Sequence, residues 1–322
     1  MSKLKKIVIG LVILIIAIPA TAFGYVYYKL NSMHDSTADE SILNSEDYKS
    51  DKSITNILLV GTDGRSTNDN GTRSDSMMIL TVDNKNKSLK LTSLARDSYV
   101  DIPGHSKEKL THAYAYGGIN LLVETIEKNF ELDIQNYAVV DFFSFMDIVD
   151  TVGGVSVDVD SSVIKEFNRY IGDCYNLNTN SNKGSIEYIK SAGVHKLNGY
   201  QALAYARIRY NDTAFERDKR QRQLIEGLAT SLKELPVSKY PALLDTILPY
   251  IKTNMKAGKI LSLGTNILGL IGNGITQMEF PIDDNVNSTG GIVDGKGWVL
   301  QYEKDSLDIL HDFIFNNIEY NG

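Results

Sequence analysis

Residues Ile7 to Tyr28 form an almost unbroken apolar run, matching the ~20 residues that a helix needs to cross a bilayer. Nothing else in the 322-residue chain constrains it as strongly, because such a run ties one end to a membrane. Lys3, Lys5 and Lys6 precede it, and positive flanks stay on the cytoplasmic side. The expected layout is a cytoplasmic N-terminus at residues 1–6, a transmembrane helix at 7–29, a linker at 30–53 and an extracellular domain at 54–322. The competing reading is a cleaved signal peptide, since Ala20-Thr21-Ala22 has the small residues of a cleavage site. The run is longer than a usual signal core and continues through Tyr25, Val26, Tyr27 and Tyr28, which favours an uncleaved anchor. One cysteine, Cys174, rules out an intrachain disulfide. Together with Lys/Asn-rich loops, this fits a bacterium with a single membrane. A net charge of -7 argues against a general nucleic-acid binder.

Asn31 to Ser53 is polar and reads as the linker. Beyond it, strand and helix patterns interleave. Ile54 to Val60 is a continuous apolar run typical of a buried central strand. Ser76 to Val82 and Ser88 to Leu94 flank the turn-rich DNKNK and predict a hairpin. Ile119, Leu122, Val123, Ile126 and Phe130 recur at helical spacing. Tyr137 to Val140 reads as a strand, Phe142 to Val152 as a helix stopped by Gly153-Gly154, and Val155 to Val159 as a strand. Lys165 to Lys190 is polar and reads as irregular. Asn198 can cap a helix towards Arg207, and Arg217 to Leu235 is amphipathic with Leu224, Ile225, Leu228, Leu232 and Leu235 inward. Helices are expected near Pro241 to Met255 and Ala257 to Ile271, strands at Thr276 to Pro281 and Trp298 to Gln301, and a final helix from Asp305 to Ile318. The fold class is α/β: three α-β-α layers around a central mixed sheet, preceded by the transmembrane helix.

Four charged clusters punctuate this pattern. In GTDGRSTNDNGTRSDSMMILTV, Asp63 and Arg65 follow one strand, while Arg73 and Asp75 precede the next, with Asp69 between. Ligands collect at such strand ends in open α/β sheets. Two carboxylates brought together repel unless a cation sits between them, and oxygen-only ligands suit Mg²⁺ or Mn²⁺. The alternative is mutual ion pairing on a wet loop. Arg96-Asp97 ends another strand, where an ordinary ion pair is equally compatible. Arg207 and Arg209 lie at a helix C-terminus, where the dipole alone favours them. Arg217 and Arg220 sit at a helix start, the wrong end for positive charge unless an anion binds there. Arginine forks match phosphate oxygens. There is no P-loop, HExxH motif or cysteine-nucleophile motif, and His34, His105, His112, His195 and His311 are scattered. A phosphate substrate outside the membrane is not readily ATP, whereas a polyprenyl-linked pyrophosphate would need an apolar groove beside the charges. Phe142 to Val149 and Ile260 to Ile271 either line such a groove or fill a core.

The blocks NILLVGTDGR, TRSDSMMILTV, SLARDSYVDIPG, KLTHAYAYGG, VDFFSFMDIVDTVGGVSVDV, GVHKLNGYQALAYARIRY and ERDKRQRQ, in this order, resemble the LytR-CpsA-Psr family of envelope proteins, also described as cell envelope-related transcriptional attenuator domains. The resemblance runs from about Ile54 to Ile318. It implies a phosphotransferase that moves a glycopolymer, such as teichoic acid or capsular polysaccharide, from an undecaprenyl-pyrophosphate carrier onto peptidoglycan as a phosphodiester. By the same resemblance, Asp63 and Asp75 hold a metal. Arg65, Arg73, Arg96, Arg207, Arg209, Arg217, Arg220 and Gln221 bind the pyrophosphate, with Asp75, Arg96, Arg207 and Arg209 at the reaction itself. It also implies a Gram-positive cell membrane. Two departures are visible: Ala95 stands where the family usually has proline, and Ala214 precedes Phe215 where an aspartate is usual, with Asp212 and Glu216 nearby. Two rival functions remain: a lipid pyrophosphatase with water as acceptor, and a non-catalytic lipid-binding regulator.

Overall fold

The computed structural model describes residues 24–35, 37, 48–64, 72–180, 183–209, 214–248, 251–284 and 286–320. Most of the apolar N-terminal run therefore lies outside the described residues, as do Arg65, Asp69 and Asp212. Among the described residues no helix is long and apolar enough to cross a membrane.

The chain opens with a helix, α1 (residues 24–31). It continues with β1 (Ile54–Thr62), β2 (Ser74–Asp83), β3 (Ser88–Leu94), β4 (Tyr99–Val100), β5 (Glu108–Lys109), α2 (Leu110–Phe130), β6 (Asn136–Asp141), α3 (Phe142–Thr151) and β7 (Val155–Val159). Then come α4 (Ile164–Leu177), β8 (Gly193–Leu197), α5 (Gly199–Ala206), α6 (Ala214–Glu234), α7 (Tyr240–Ile247) and α8 (Ala257–Leu270). The chain closes with β9 (Ile275–Phe280), β10 (Ser288–Val293), β11 (Gly297–Tyr302) and α9 (Ser306–His311).

The central sheet has the order β6-β1-β2-β3-β9. β1–β2 and β2–β3 are antiparallel, while β1–β6 and β3–β9 are parallel, so the sheet is mixed. Its strands read as unbroken apolar runs because both faces are covered. Leu58, Val60, Met77 and Ile79 pack with Leu122, Val123, Ile126 and Phe130 of α2 on one face. Ile57, Val82 and Leu89 meet Leu263 and Leu270 of α8 on the other. α6 packs on that second face against β3 and β9. The expected helix–sheet–helix layering is present.

Several elements depart from the sequence reading. The segment from Lys165 to Lys190 is not irregular: α4 occupies its first half, with Phe167, Ile171 and Cys174 buried at i, i+4 and i+7. Its otherwise polar surface hid a narrow apolar stripe. β8 pairs antiparallel with β7, and β10 with β11, although neither β8 nor β10 reads as a strand on its own. α7 is much shorter than Pro241 to Met255, since the chain at Lys252 and Thr253 is extended and bridges Val139 and His34. α2 begins nine residues early and is broken at Gly117 and Gly118, whose φ of 66° at Gly118 no helix accommodates. The final helix ends at His311 and passes into a π-helical turn over Asp312–Asn316. The described parts of the expected linker are not clear of the domain either. Leu30 and Met33 are buried with Leu248 and Ala257, and Lys49 bridges Leu132.

One buried charge pair ties the C-terminal region to the sheet. Lys90 Nζ lies 3.0 Å from Asp83 Oδ2 and donates to the Ile314 carbonyl at 2.9 Å, with both side chains sealed from solvent. Removing the amine leaves the Asp83 carboxylate buried without a counter-charge, held among the described residues only by the Asn86 N–H groups. Lys90→Met is therefore expected to lower unfolding stability by about 3–5 kcal/mol. Chemical denaturation checks this, and the Lys90→Met/Asp83→Leu double variant should recover part of the loss.

Candidate active site

The C-terminal ends of β1, β3, β6 and β9 share one edge of the sheet with the N-terminal end of β2, as their pairing directions require. The described members of the charged clusters singled out in the sequence sit along or beside this edge. The β1–β2 register runs Gly61↔Ser76 and then Thr62↔Ser74, so Asp75 is the extra residue of a β-bulge. A bulge re-aims a side chain at the end of a ladder. Here the Asp75 carboxylate meets Arg96 from the end of β3, and Arg209 Nη2 reaches its other oxygen at 3.7 Å. Asp63 accepts the Arg73 backbone N–H at 2.8 Å, which closes the mouth of the β1–β2 connection.

Arg96 is held by its backbone. Its carbonyl accepts Thr111 N–H at 3.0 Å, and the preceding Ala95 donates to Phe280 O at 2.9 Å. A proline at position 95 would have no N–H to give, so alanine keeps a hydrogen bond to β9 that proline could not make. Arg96 Nε also lies 3.5 Å from Asp97, and Lys109 lies 3.2 Å from that same carboxylate.

α5 and α6 supply the remaining arginines. Asn198 caps α5 in a reciprocal box with Gln201, which fixes where the helix starts. Arg207 is its C-cap. The Arg207 guanidinium donates to Cys174 Sγ at 3.5 Å and lies over the rings of Phe142 and Tyr170, at 5.4 and 5.9 Å. Burial raises the Cys174 thiol above its ordinary range. Arg209 lies just beyond Arg207, past the end of α5. Partial burial, and then the charges of Arg96 and Arg217, hold it below the usual guanidinium range. Three arginines crowded together raise the local potential and favour an anion.

Two connected spaces result. A pocket of about 220 Å³ is lined by Asp63, Asp75, Arg207 and Arg209, with Phe142, Phe143 and Tyr170 as an aromatic wall. It shares Asp75, Phe142, Leu203, Arg207 and Arg209 with a cavity of about 380 Å³. The larger cavity runs between the sheet (Leu59, Met78, Ala138, Val140), α3 (Phe145, Ile148) and α6 (Leu224, Ile225, Leu228, Ala229, Leu232). Arg217 and Gln221 stand at its charged end. The geometry is an apolar groove with a polar mouth.

Sequence reasoning placed most of these groups, with exceptions. Asp63, Asp75, Arg207 and Arg209 line one pocket, Arg96 joins them through Asp75, and Arg217 and Gln221 line the adjoining groove. Arg73 is exposed and enters through its backbone. Arg220 lines neither space: it is buried and donates to Ile208 O at 3.1 Å, bracing the Arg207–Arg209 segment from behind. Ile260 to Ile271 does not line the groove, since its apolar side chains pack on the sheet beneath α8 and on the N-terminal segment. The lining instead comes from α6, whose inward leucines and isoleucine border an open space. Tyr170 was missed because it lies in the stretch read as irregular. Among the described residues no group of three or more His, Cys, Asp and Glu side chains is arranged for a metal, and the two carboxylates that line the pocket are Asp63 and Asp75.

Comparison with known proteins agrees with this architecture. The LytR_cpsA_psr family matches residues 20–312. The polyisoprenyl-teichoic acid–peptidoglycan teichoic acid transferase TagT of Bacillus subtilis is 30% identical over 274 residues, covering 82% of this chain and 81% of TagT. The transferase of the same description, TagU, of Enterococcus faecalis is 31% identical over 308 residues, covering 92% of each. A solved structure of the LytR-CPS2A-psr family protein YwtF (TagT) with bound octaprenyl pyrophosphate lipid superposes with a TM-score of 0.64. It is 23% identical and covers 88% of this chain and 98% of that one, which speaks to the fold. The chain belongs to the LytR_cpsA_psr family.

Proposed function

We propose that this protein is a membrane-anchored phosphotransferase that moves a glycopolymer from a polyprenyl-pyrophosphate carrier to a hydroxyl of peptidoglycan. The observation that carries this reading is the arginine–aspartate mouth opening directly onto an apolar groove. A diphosphate with a long hydrocarbon tail has that same polarity pattern, and the named activities of TagT and TagU agree with it. The apolar run from Ile7 to Tyr28, with its lysine flank, supports an anchor that leaves the domain outside a Gram-positive cell membrane.

In the reaction, the acceptor hydroxyl oxygen forms a bond to the sugar-side phosphorus. The bond from that phosphorus to the bridging oxygen breaks, polyprenyl phosphate leaves with that oxygen and the bonding electron pair, and the acceptor's proton passes to solvent. Such a transfer needs positioning and charge neutralisation more than covalent help. Arg96 and Arg209 would grip the diphosphate oxygens, and Arg217 and Gln221 would hold its lipid side at the groove. Arg207 stays oriented by the rings of Phe142 and Tyr170. The groove walls would exclude water around the prenyl chain. Asp63 and Asp75 fit Mg²⁺ or Mn²⁺, which takes few protein carboxylates and completes its shell with water and phosphate. Bound there, the metal would supply charge neutralisation to the phosphates.

The test is transfer of a labelled polyprenyl-pyrophosphate glycan to peptidoglycan fragments, measured beside lipid binding. Asp75→Ala should reduce divalent-metal-dependent transfer roughly a hundredfold or more while the domain stays folded. Lost thermal stability with full specific activity would instead mark Asp75 as a structural partner of Arg96. Arg96→Lys and Arg209→Lys keep the charge but lose the fork. Each should transfer about 10²- to 10³-fold more slowly, a loss of about 2.7–4 kcal/mol in the transition state, and excess metal should not rescue it. Near wild-type rates in both would remove these arginines from the phosphate clamp. Ala229→Phe narrows the groove and should weaken binding of long-chain lipid far more than that of inorganic pyrophosphate. Release of free glycan phosphate without acceptor product would favour the pyrophosphatase reading, and binding without turnover the regulator.

A further inference from the structure

Behind the mouth, Arg217 is backed by a buried layer of charge whose other members the reaction above does not use. Arg217 donates Nε and Nη2 to Asp218 Oδ1 at 3.2 and 2.9 Å, with Arg217 5% and Asp218 3% exposed. One turn along α6, Arg222 lies 3.4 Å from Glu279 Oε2 on β9 and donates to Gln277 Oε1 at 3.3 Å. Gln277 in turn donates to Glu226 at 2.8 Å. Two oxygens of this layer, Asp218 Oδ2 and Glu279 Oε1, are buried with no hydrogen-bond partner among the described residues. A buried carboxylate oxygen without a donor is costly, and a single proton relieves part of that cost.

Resting on the proposed function, we infer that Glu279 holds a proton in the working protein and acts as a positioning residue behind the arginine clamp. Uncharged, it leaves Arg217 and Arg222 with one carboxylate, Asp218, between them. Arg217, Arg222 and Asp218 together then stay net positive towards a bound diphosphate. Ionised, it cancels that charge and pulls Arg222 and its helix towards β9.

The surroundings agree. Burial raises the Glu279 carboxyl to about 8, the Asp218 charge adds to this, and Arg222 opposes it; Asp283 contributes further negative charge. Ser93, its register partner on β3, brings a neutral hydroxyl. Burial likewise raises Asp218, against the pull of Arg217, Arg222 and Arg96. The sign follows: Glu279 keeps its proton below about 8 and loses it above. Diphosphate affinity should be high on the acid side of that point and fall on the alkaline side.

The experiment titrates the full chain in detergent with octaprenyl pyrophosphate from pH 7 to pH 9. In wild type the Kd should rise about tenfold over this range, as expected for binding that requires one proton on a group titrating near 8. Glu279→Gln should flatten the profile. Asp218→Asn removes the charge that helps hold the proton, so its alkaline fall should begin at lower pH. This second variant carries the test if Glu279→Gln does not fold. A pH-independent wild type, a Glu279→Gln variant with the wild-type slope, or an Asp218→Asn variant with an unmoved fall overturns the inference and leaves the proposed function standing. Failure of wild type to bind the lipid at any pH overturns both.

Discussion

A guanidinium cannot leave water without a counter-charge or a carbonyl to receive its N–H groups, and that requirement holds α6 in place. Arg217 turns to Asp218, Arg220 to the Ile208 carbonyl, and Arg222 to Glu279 and Gln277 on β9. Arg217 is satisfied within the helix, while Arg220 and Arg222 pin its N-terminal half to the segment just after α5 and to β9. The position of α6 then decides where Arg207 and Arg209 can stand and how far its own apolar face lies from the sheet.

That distance makes the groove. Protein interiors are normally filled to the density of organic crystals, and unfilled apolar volume lowers stability. Here α6 packs against β3, β7 and β9, while its Leu224, Ile225, Leu228 and Leu232 look across open space at Leu59, Met78 and Val140. The opposite face of the sheet is closed by α2 in the ordinary way. The two faces therefore divide the work. One supplies the stability of a filled core, and the other accepts an unfilled volume that ends at charged groups. The bulge at Asp75 performs the matching task at the edge, turning a carboxylate out of the ladder and into the arginines.

Much of this was legible in the residues. Ile54 to Val60 reads as a central strand because an apolar run has nowhere else to go, and the DNKNK turn marks its hairpin partner strands. Asn198 announces a helix start that the capping box then realises. The arginines at the start of α6 stand out because the helix dipole disfavours them there. Legibility failed where pairing or packing supplies the signal. β8 and β10 are strands only by virtue of β7 and β11. α4 is betrayed by three buried residues among many polar ones, and Tyr170 was lost with it.

The sequence by itself determined the class of fold, the charged chemistry and its placement at strand ends and helix termini. These follow from hydrophobic periodicity, capping and the electrostatics of single elements, all of which are local. Only the tertiary structure decided which charges serve a ligand and which serve the fold. Arg217 and Arg220 look alike in ERDKRQRQ, yet one borders the groove and the other braces a backbone carbonyl. Ile260 to Ile271 and Leu224 to Leu232 look equally suited to line a cavity, yet α8 is pressed onto the sheet and α6 stands off it. Burial and separation are set by three-dimensional neighbours, and no spacing along the chain encodes them.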